Sequence, residues 1–151
     1  MGKTRAQKTV PGLTLDAGAL IALDRGDCRM IALLQEVAKT RASIRVPAGV
    51  VGQAWRNGAR QVMLARFLRL HEVEIRALDE HMGRAAGELC GLAGTADVID
   101  ATVVLTARAN ADTILTGDPE DLGRLDPTAT IVPLQLSLAR NRPRSRTDGK
   151  A

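Results

Sequence analysis

Aromatic side chains are almost missing from this 151-residue chain: Trp55 and Phe67 stand alone, and there is no tyrosine. That weakens any reading as a stacking platform for single-stranded nucleic acid, which depends on aromatic faces. Trp55 is expected to pack inside rather than meet a ligand. Cysteine is scarce too. Cys28 and Cys90 show no metal-ligand spacing, and no signal-peptide pattern opens the chain. They read as reduced thiols acting as small core residues of a cytoplasmic protein. No apolar run approaches transmembrane length, so no membrane role is expected. The only histidines, His71 and His81, sit in solvated stretches ("HEVE", "DEHM") that do not suit a catalytic imidazole. No G-x-G-x-x-G follows the first apolar strand and no G-x-x-x-x-G-K-[ST] occurs, which removes the dinucleotide and P-loop readings. After Asp16 the chain reads "DAGA", without the second acid two residues on that phosphatases with an aspartyl nucleophile use.

What is present begins with an uneven distribution of charge. The formal net charge is +4, but Lys3, Arg5 and Lys8 crowd the start, and Arg140, Arg142, Arg144, Arg146 and Lys150 crowd the end. Without these residues and Asp148, the chain holds 13 Lys and Arg against 16 Asp and Glu. The basic excess therefore belongs to the two ends. Residues 1–10 are expected to be a flexible segment, and residues 137–151 a disordered basic tail able to attract a polyanion.

Between them, residues 11–136 read as one domain. "GLTL" is a short strand ending at Asp16, followed by a helical turn. "DCRMIALLQEVAKT" has apolar residues at helical spacing with Asp27 placed to cap it. "ASIRV" is a strand, with Pro47 at a first helical position. "VEIRAL" alternates as a strand, and "DEHMGRAAGELCGLAG" opens on acids and closes on glycines, as helices do. "TILT" and "ATIVPL" complete the strands. The order β-α-α-β-α-α-β-α-α-β-α-β predicts an α/β fold: a single parallel sheet flanked by helices.

In such sheets ligands bind beyond the carboxyl ends of the strands, at a topological switch point. Asp16 follows the first strand and Asp118 lies two residues past "TILT". Asp97 and Asp100, three apart at a helix start, share one face. Each acid has an ordinary alternative as a helix cap, Asp97 with Asp100 in a capping box and Asp118 ahead of Pro119 as a turn signal. Together, acids without a nearby Lys or His would repel one another. A divalent cation is the natural partner, and oxygen ligands suit Mg²⁺ or Mn²⁺.

The stretches "LTLDAGALIAL", "VPAGVVGQAWR", "DVIDATVVLTARANADTILTGDPEDLGRL" and "IVPL" resemble PIN-domain ribonucleases of the VapC toxin type, over about Leu13 to Leu134. The resemblance implies a parallel sheet with flanking helices, Mg²⁺ or Mn²⁺, and hydrolysis of RNA by a toxin that a cognate antitoxin restrains, with a homodimer as the assembly. By position, Asp16, Asp100 and Asp118 match family acids, Thr116 takes the place of a supporting hydroxyl, and Asp97 is an additional acid nearby. One departure stands out. Where the family usually carries Glu, early in the helix after the second strand, this chain has Gln53. Gln can hydrogen-bond a water but adds no charge. The departure leaves open a catalytically weak PIN module that binds RNA or a protein partner. Because an acidic site repels RNA, basic residues must hold the strand. Arg45, Arg56, Arg60 and the tail arginines are the candidates.

Overall fold

The computed structural model describes residues 11–134. The expected end segments, residues 1–10 and 137–151, lie outside the described residues. Five short strands form one sheet in the order β3-β2-β1-β4-β5, every neighbouring pair parallel. They are β1 (Leu13–Leu15), β2 (Ile44–Pro47), β3 (Val73–Arg76), β4 (Thr113–Thr116) and β5 (Ile131–Pro133). Among the described residues, seven helices connect and flank them: α1 (Ala17–Asp24), α2 (Cys28–Lys39), α3 (Ala48–Ala54), α4 (Val62–Phe67), α5 (Glu80–Ala93), α6 (Val98–Asn110) and α7 (Pro119–Leu125). The element order is the one the sequence predicts. No single described helix is long and apolar enough to cross a membrane.

Local chemistry explains the boundaries. Asp27 caps α2 by accepting from the N–H groups of Arg29 (2.9 Å) and Met30 (3.3 Å), which leaves Met30 and Leu34 on the buried face. Asp79 caps α5 through Met82 N–H at 2.8 Å, and α5 stops at Gly94, whose φ of +70° is open to glycine at little cost. Pro47 is a correction of one position. It closes β2 and precedes α3 as its cap rather than opening the helix, with an extended ψ of 140°.

The central strands are buried on both faces. Leu15, Ile44, Val46, Ile114 and Leu115 are nearly inaccessible, and each such side chain contributes roughly 1.5–3 kcal/mol on burial. Helix α6 packs across β1, β2 and β4, with Ala101, Val103, Val104 and Ala107 buried. Edge strand β3 is mostly exposed.

One central-strand residue breaks the apolar pattern. Arg45 of β2 is 4% exposed. Its Nη1 donates to Asp112 Oδ1 at 2.7 Å, and its Nε to Glu74 at 3.2 Å. Asp112, just ahead of β4, also accepts from the Gly12 N–H (2.9 Å) and the Thr14 hydroxyl (2.8 Å). Both oxygens of that buried carboxylate thus meet donors, and its charge meets a guanidinium. This removes Arg45 from the residues able to hold RNA, because its charge is spent inside the sheet. We expect Asp112→Ala to cost about 3–5 kcal/mol in urea denaturation, since it strands a buried guanidinium. Glu74→Ala, at a half-exposed site, should cost at most about 1 kcal/mol.

Candidate active site

The strand order reverses between β1 and β4, because β1 is followed in sequence by β2 on one side but lies beside β4 on the other. That is the switch point of an open parallel sheet, where the two chains diverge and leave a crevice. Asp16 leaves β1 there, and Thr116, Gly117 and Asp118 leave β4 beside it. The Asp16 N–H continues the ladder to the Leu115 carbonyl at 3.2 Å, which sets Asp16 against Thr116.

Asp16 is 8% exposed and has three neutral donors. Its Oδ1 accepts from Ala19 N–H at 3.2 Å, the capping bond of α1. Its Oδ2 accepts from Gly117 N–H at 3.2 Å and, in a short contact, from the Thr116 hydroxyl. The same Thr116 oxygen accepts from Asp118 N–H at 2.8 Å. One hydroxyl therefore ties two acids from strands separated by about a hundred residues in sequence. Asp118 occupies the cap position of α7, yet its side chain makes no capping bond, so its carboxylate is not committed to holding the helix.

The other acids arrive on α6. Asp97 is its cap and accepts from Asp100 N–H at 2.9 Å. Asp100, on the first turn, is half-buried. Its carboxyl is pushed up to about 6 from the ordinary 3.8, first by burial, then by the charges of Asp97, Asp118, Asp121 and Asp16. Among the described residues no basic side chain figures in these influences. Asp16, Asp97, Asp100 and Asp118, all picked out in the sequence, are brought together. Asp121 joins them and was missed. It is exposed, and its carboxyl is raised by a hydrogen bond shared with Asp118 and by that residue's charge. The signal was available: Asp118 and Asp121 are three apart at a helix start, the same spacing as Asp97 and Asp100.

Gln53 is exposed on α3. It lies four residues after Gly49 and so on the same helix face. A Cβ on Gly49 would collide with Cδ1 of Ile99, so the absence of a side chain lets α3 close onto the residue next to Asp100. Arg56 and Arg60 are exposed. Trp55, expected inside, is 38% exposed.

The clustered acids offer only carboxylate oxygen, the donor type that hard cations take. Among the described residues no three His, Cys, Asp or Glu side chains close on a single point. The arrangement is a loose cluster of acids rather than a cage. An apolar cavity of about 300 Å³ between α2 and α4 is lined by none of them.

The same fold occurs in solved structures. VapBC2 from Rickettsia felis, bound to a DNA fragment from its promoter, is 19% identical with a TM-score of 0.59, over 80% of this chain and 97% of that one. FitAB bound to an IR36 DNA fragment is 15% identical with a TM-score of 0.57, over 80% and 94%. FitAcB from Neisseria gonorrhoeae is 17% identical with a TM-score of 0.55, over 79% and 95%. No protein-family model and no curated protein matches the sequence. At these identities the likeness is one of fold.

The electrostatics carry a consequence for stability. Unfolded, the Asp100 carboxyl loses its proton near 3.8; folded, it keeps it to about 6. Between those values the folded state binds more protons, so raising the pH through this window destabilises the metal-free protein, and the loss persists above it. Thermal melts in EDTA should show a lower Tm at pH 7 than at pH 5, and Asp100→Asn should flatten that difference.

Proposed function

We propose that the protein is a Mg²⁺- or Mn²⁺-dependent endoribonuclease, the toxin of a toxin–antitoxin pair acting in the cytoplasm. The observation that carries this reading is the gathering of four aspartates, Asp16, Asp97, Asp118 and Asp121, around Asp100, at the switch point of a parallel sheet, with no basic side chain among the described groups that perturb Asp100. Caps alone do not account for it. Asp118 caps nothing with its side chain, and Asp100 has like charges as its neighbours.

Asp16, Asp100 and Asp118 would hold the cation. A loose cluster suits Mg²⁺, which needs only one or two carboxylates directly and keeps several waters. When bound, such an ion supplies an acidified water as nucleophile and offsets charge building on the phosphate. The protein's part is positional. Thr116 and the Gly117 N–H fix the Asp16 carboxylate, and Thr116 also fixes the backbone that carries Asp118. Asp97 holds the start of α6, and with it Asp100, so its first role is as a cap with outer influence on the site. Gln53 stands ready to bond a water without adding charge. The observation favouring the second reading, a weak or inactive binding module, is that same Gln53 in place of an acid.

The partner reading rests on the resemblance and on the fold shared with chains of VapBC2 and FitAB assemblies. An antitoxin presenting Arg or Lys to the acids would satisfy them much as a cation does, so its inhibition should weaken as Mg²⁺ rises. A homodimer is the assembly we propose, in keeping with the prevalence of two-fold symmetry.

Induced expression of wild type and Asp100→Asn, with RNA ends mapped, tests the reading. Wild type should arrest growth and cut RNA in a Mg²⁺-dependent manner. Asp100→Asn should be at least about 100-fold slower with an unchanged fold, because the change removes charge but keeps shape, and a loss that large is what disturbing a metal site produces. Equal cleavage by the two proteins would reduce Asp100 to a helix residue. Thr116→Val should cost roughly 10- to 100-fold in rate, because it frees the Asp16 carboxylate to turn. Gln53→Glu should tighten Mn²⁺ binding if its side chain reaches the cluster; an unaltered affinity would show that it points elsewhere.

A further inference from the structure

The acids that would cut a strand also repel it, so the strand must be gripped elsewhere. This inference rests on the ribonuclease reading. The chain separates its charges by region. Residues 37–71 contain seven Lys and Arg and no acid, whereas residues 72–134 contain twelve acids and four arginines. Two of the seven are spent: Arg45 on Asp112 and Lys39 on Glu36. Two that remain, Arg56 and Arg60, flank the loop that joins α3 to α4, and beside them stands the only tryptophan.

We propose that this loop, residues 55–60, holds single-stranded RNA, with Trp55 stacking on one base and Arg56 and Arg60 meeting the adjoining phosphates. Three features of the loop point that way. First, Trp55 is 38% exposed in a chain otherwise almost free of aromatics. A Cβ at Gly58 would lie 2.6 Å from its Cζ2, so glycine lets the backbone lie against the edge of a ring that is still partly open to solvent.

Second, the loop is built around a buried carboxamide. Gln61 is 9% exposed. Its Oε1 accepts from the N–H groups of Arg56 (2.7 Å) and Asn57 (2.9 Å). Its Nε2 donates to the Ala54 carbonyl (2.9 Å) and to Asp24 (3.1 Å). The loop is thus set before any ligand arrives, which lowers the ordering cost of binding. The Arg56 guanidinium is also positioned, donating from Nη1 to the Gly52 and Trp55 carbonyls at 2.9 and 2.7 Å. Its remaining N–H groups are left for an anion.

Third, the loop is at a usable distance. Helix α3 touches Ile99, next to Asp100, at Gly49. Trp55 is six residues further, roughly 9 Å along a helix. Bases beside the scissile phosphate fall within that span. Between Trp55 and the exposed Val62 and Met63, the loop offers two cations and no acid: Arg56, Asn57, Gly58, Ala59 and Arg60. Stacking on a π-face with phosphates on cations fits RNA better.

Because Trp55 is the only tryptophan, its emission reports the contact directly. Full-length protein in EDTA is titrated with oligouridylate, and separately with a mixed-sequence RNA duplex. Saturable quenching by the single strand, and little by the duplex, is expected. Trp55→Ala should weaken oligouridylate binding on the order of tenfold, Trp55→Phe should restore most of it, and circular dichroism should confirm that both fold. Replacing Arg56 and Arg60 together with Ala should lower the slope of log affinity against log salt by about 1.4. In cleavage assays Trp55→Ala should raise KM with kcat nearly unchanged. Absent quenching, or equal affinity in Trp55→Ala, would overturn the proposal, as would quenching seen only with an antitoxin protein, which would make the loop a protein interface. If RNA quenches Trp55 and wild type cuts nothing with Mg²⁺, the strand-holding proposal survives and the nuclease reading falls.

Discussion

Mutual repulsion among carboxylates at the crevice between β1 and β4 is the constraint on which the functional account depends. The sheet order forces Asp16 and Asp118 side by side, and the start of α6 brings Asp97 and Asp100 to the same place. Burial and the neighbouring carboxylates together raise the cost of ionising Asp100. The Asp100 carboxyl records the result by holding its proton to about 6.

The other end of the same sheet shows how the chain treats a carboxylate it intends only for structure. Asp112 is buried too, and it receives an arginine, a hydroxyl and a backbone N–H. Asp16 receives only neutral donors. A buried ion pair is closed, whereas a cluster of acids with neutral support is open to a cation that is not part of the chain. The contrast within one molecule argues that the open end is functional, and it locates the cost of function in the electrostatics rather than in the packing of the core.

The fold was legible almost entirely in the sequence, because short strands alternate with segments of helical period, and capping acids mark several helix starts, so period and punctuation agree. Asp27 and Asp79 cap where their positions said they would. The clustering of Asp16, Asp97, Asp100 and Asp118 was legible from strand-end placement in a parallel sheet. Four things were not, the first being that Cys28, read with Cys90 as a core residue, is exposed. Asp121 was passed over because its motif looked complete with Asp118. Arg45 looked like a surface charge because burial of an arginine depends on Asp112, sixty-seven residues away, and no local pattern carries that pairing. Trp55 was expected inside because large apolar residues usually are. Its exposure follows from a loop organised by Gln61, whose four hydrogen bonds have no sequence signature.

The account comes down to whether the cluster of acids binds a cation. Calorimetric titration of Mn²⁺ into the metal-free protein at pH 7.5 measures this without reference to any RNA. Saturable binding that weakens roughly tenfold or more in Asp100→Asn is the predicted result. No binding in the wild type, or the same affinity in both proteins, would contradict it.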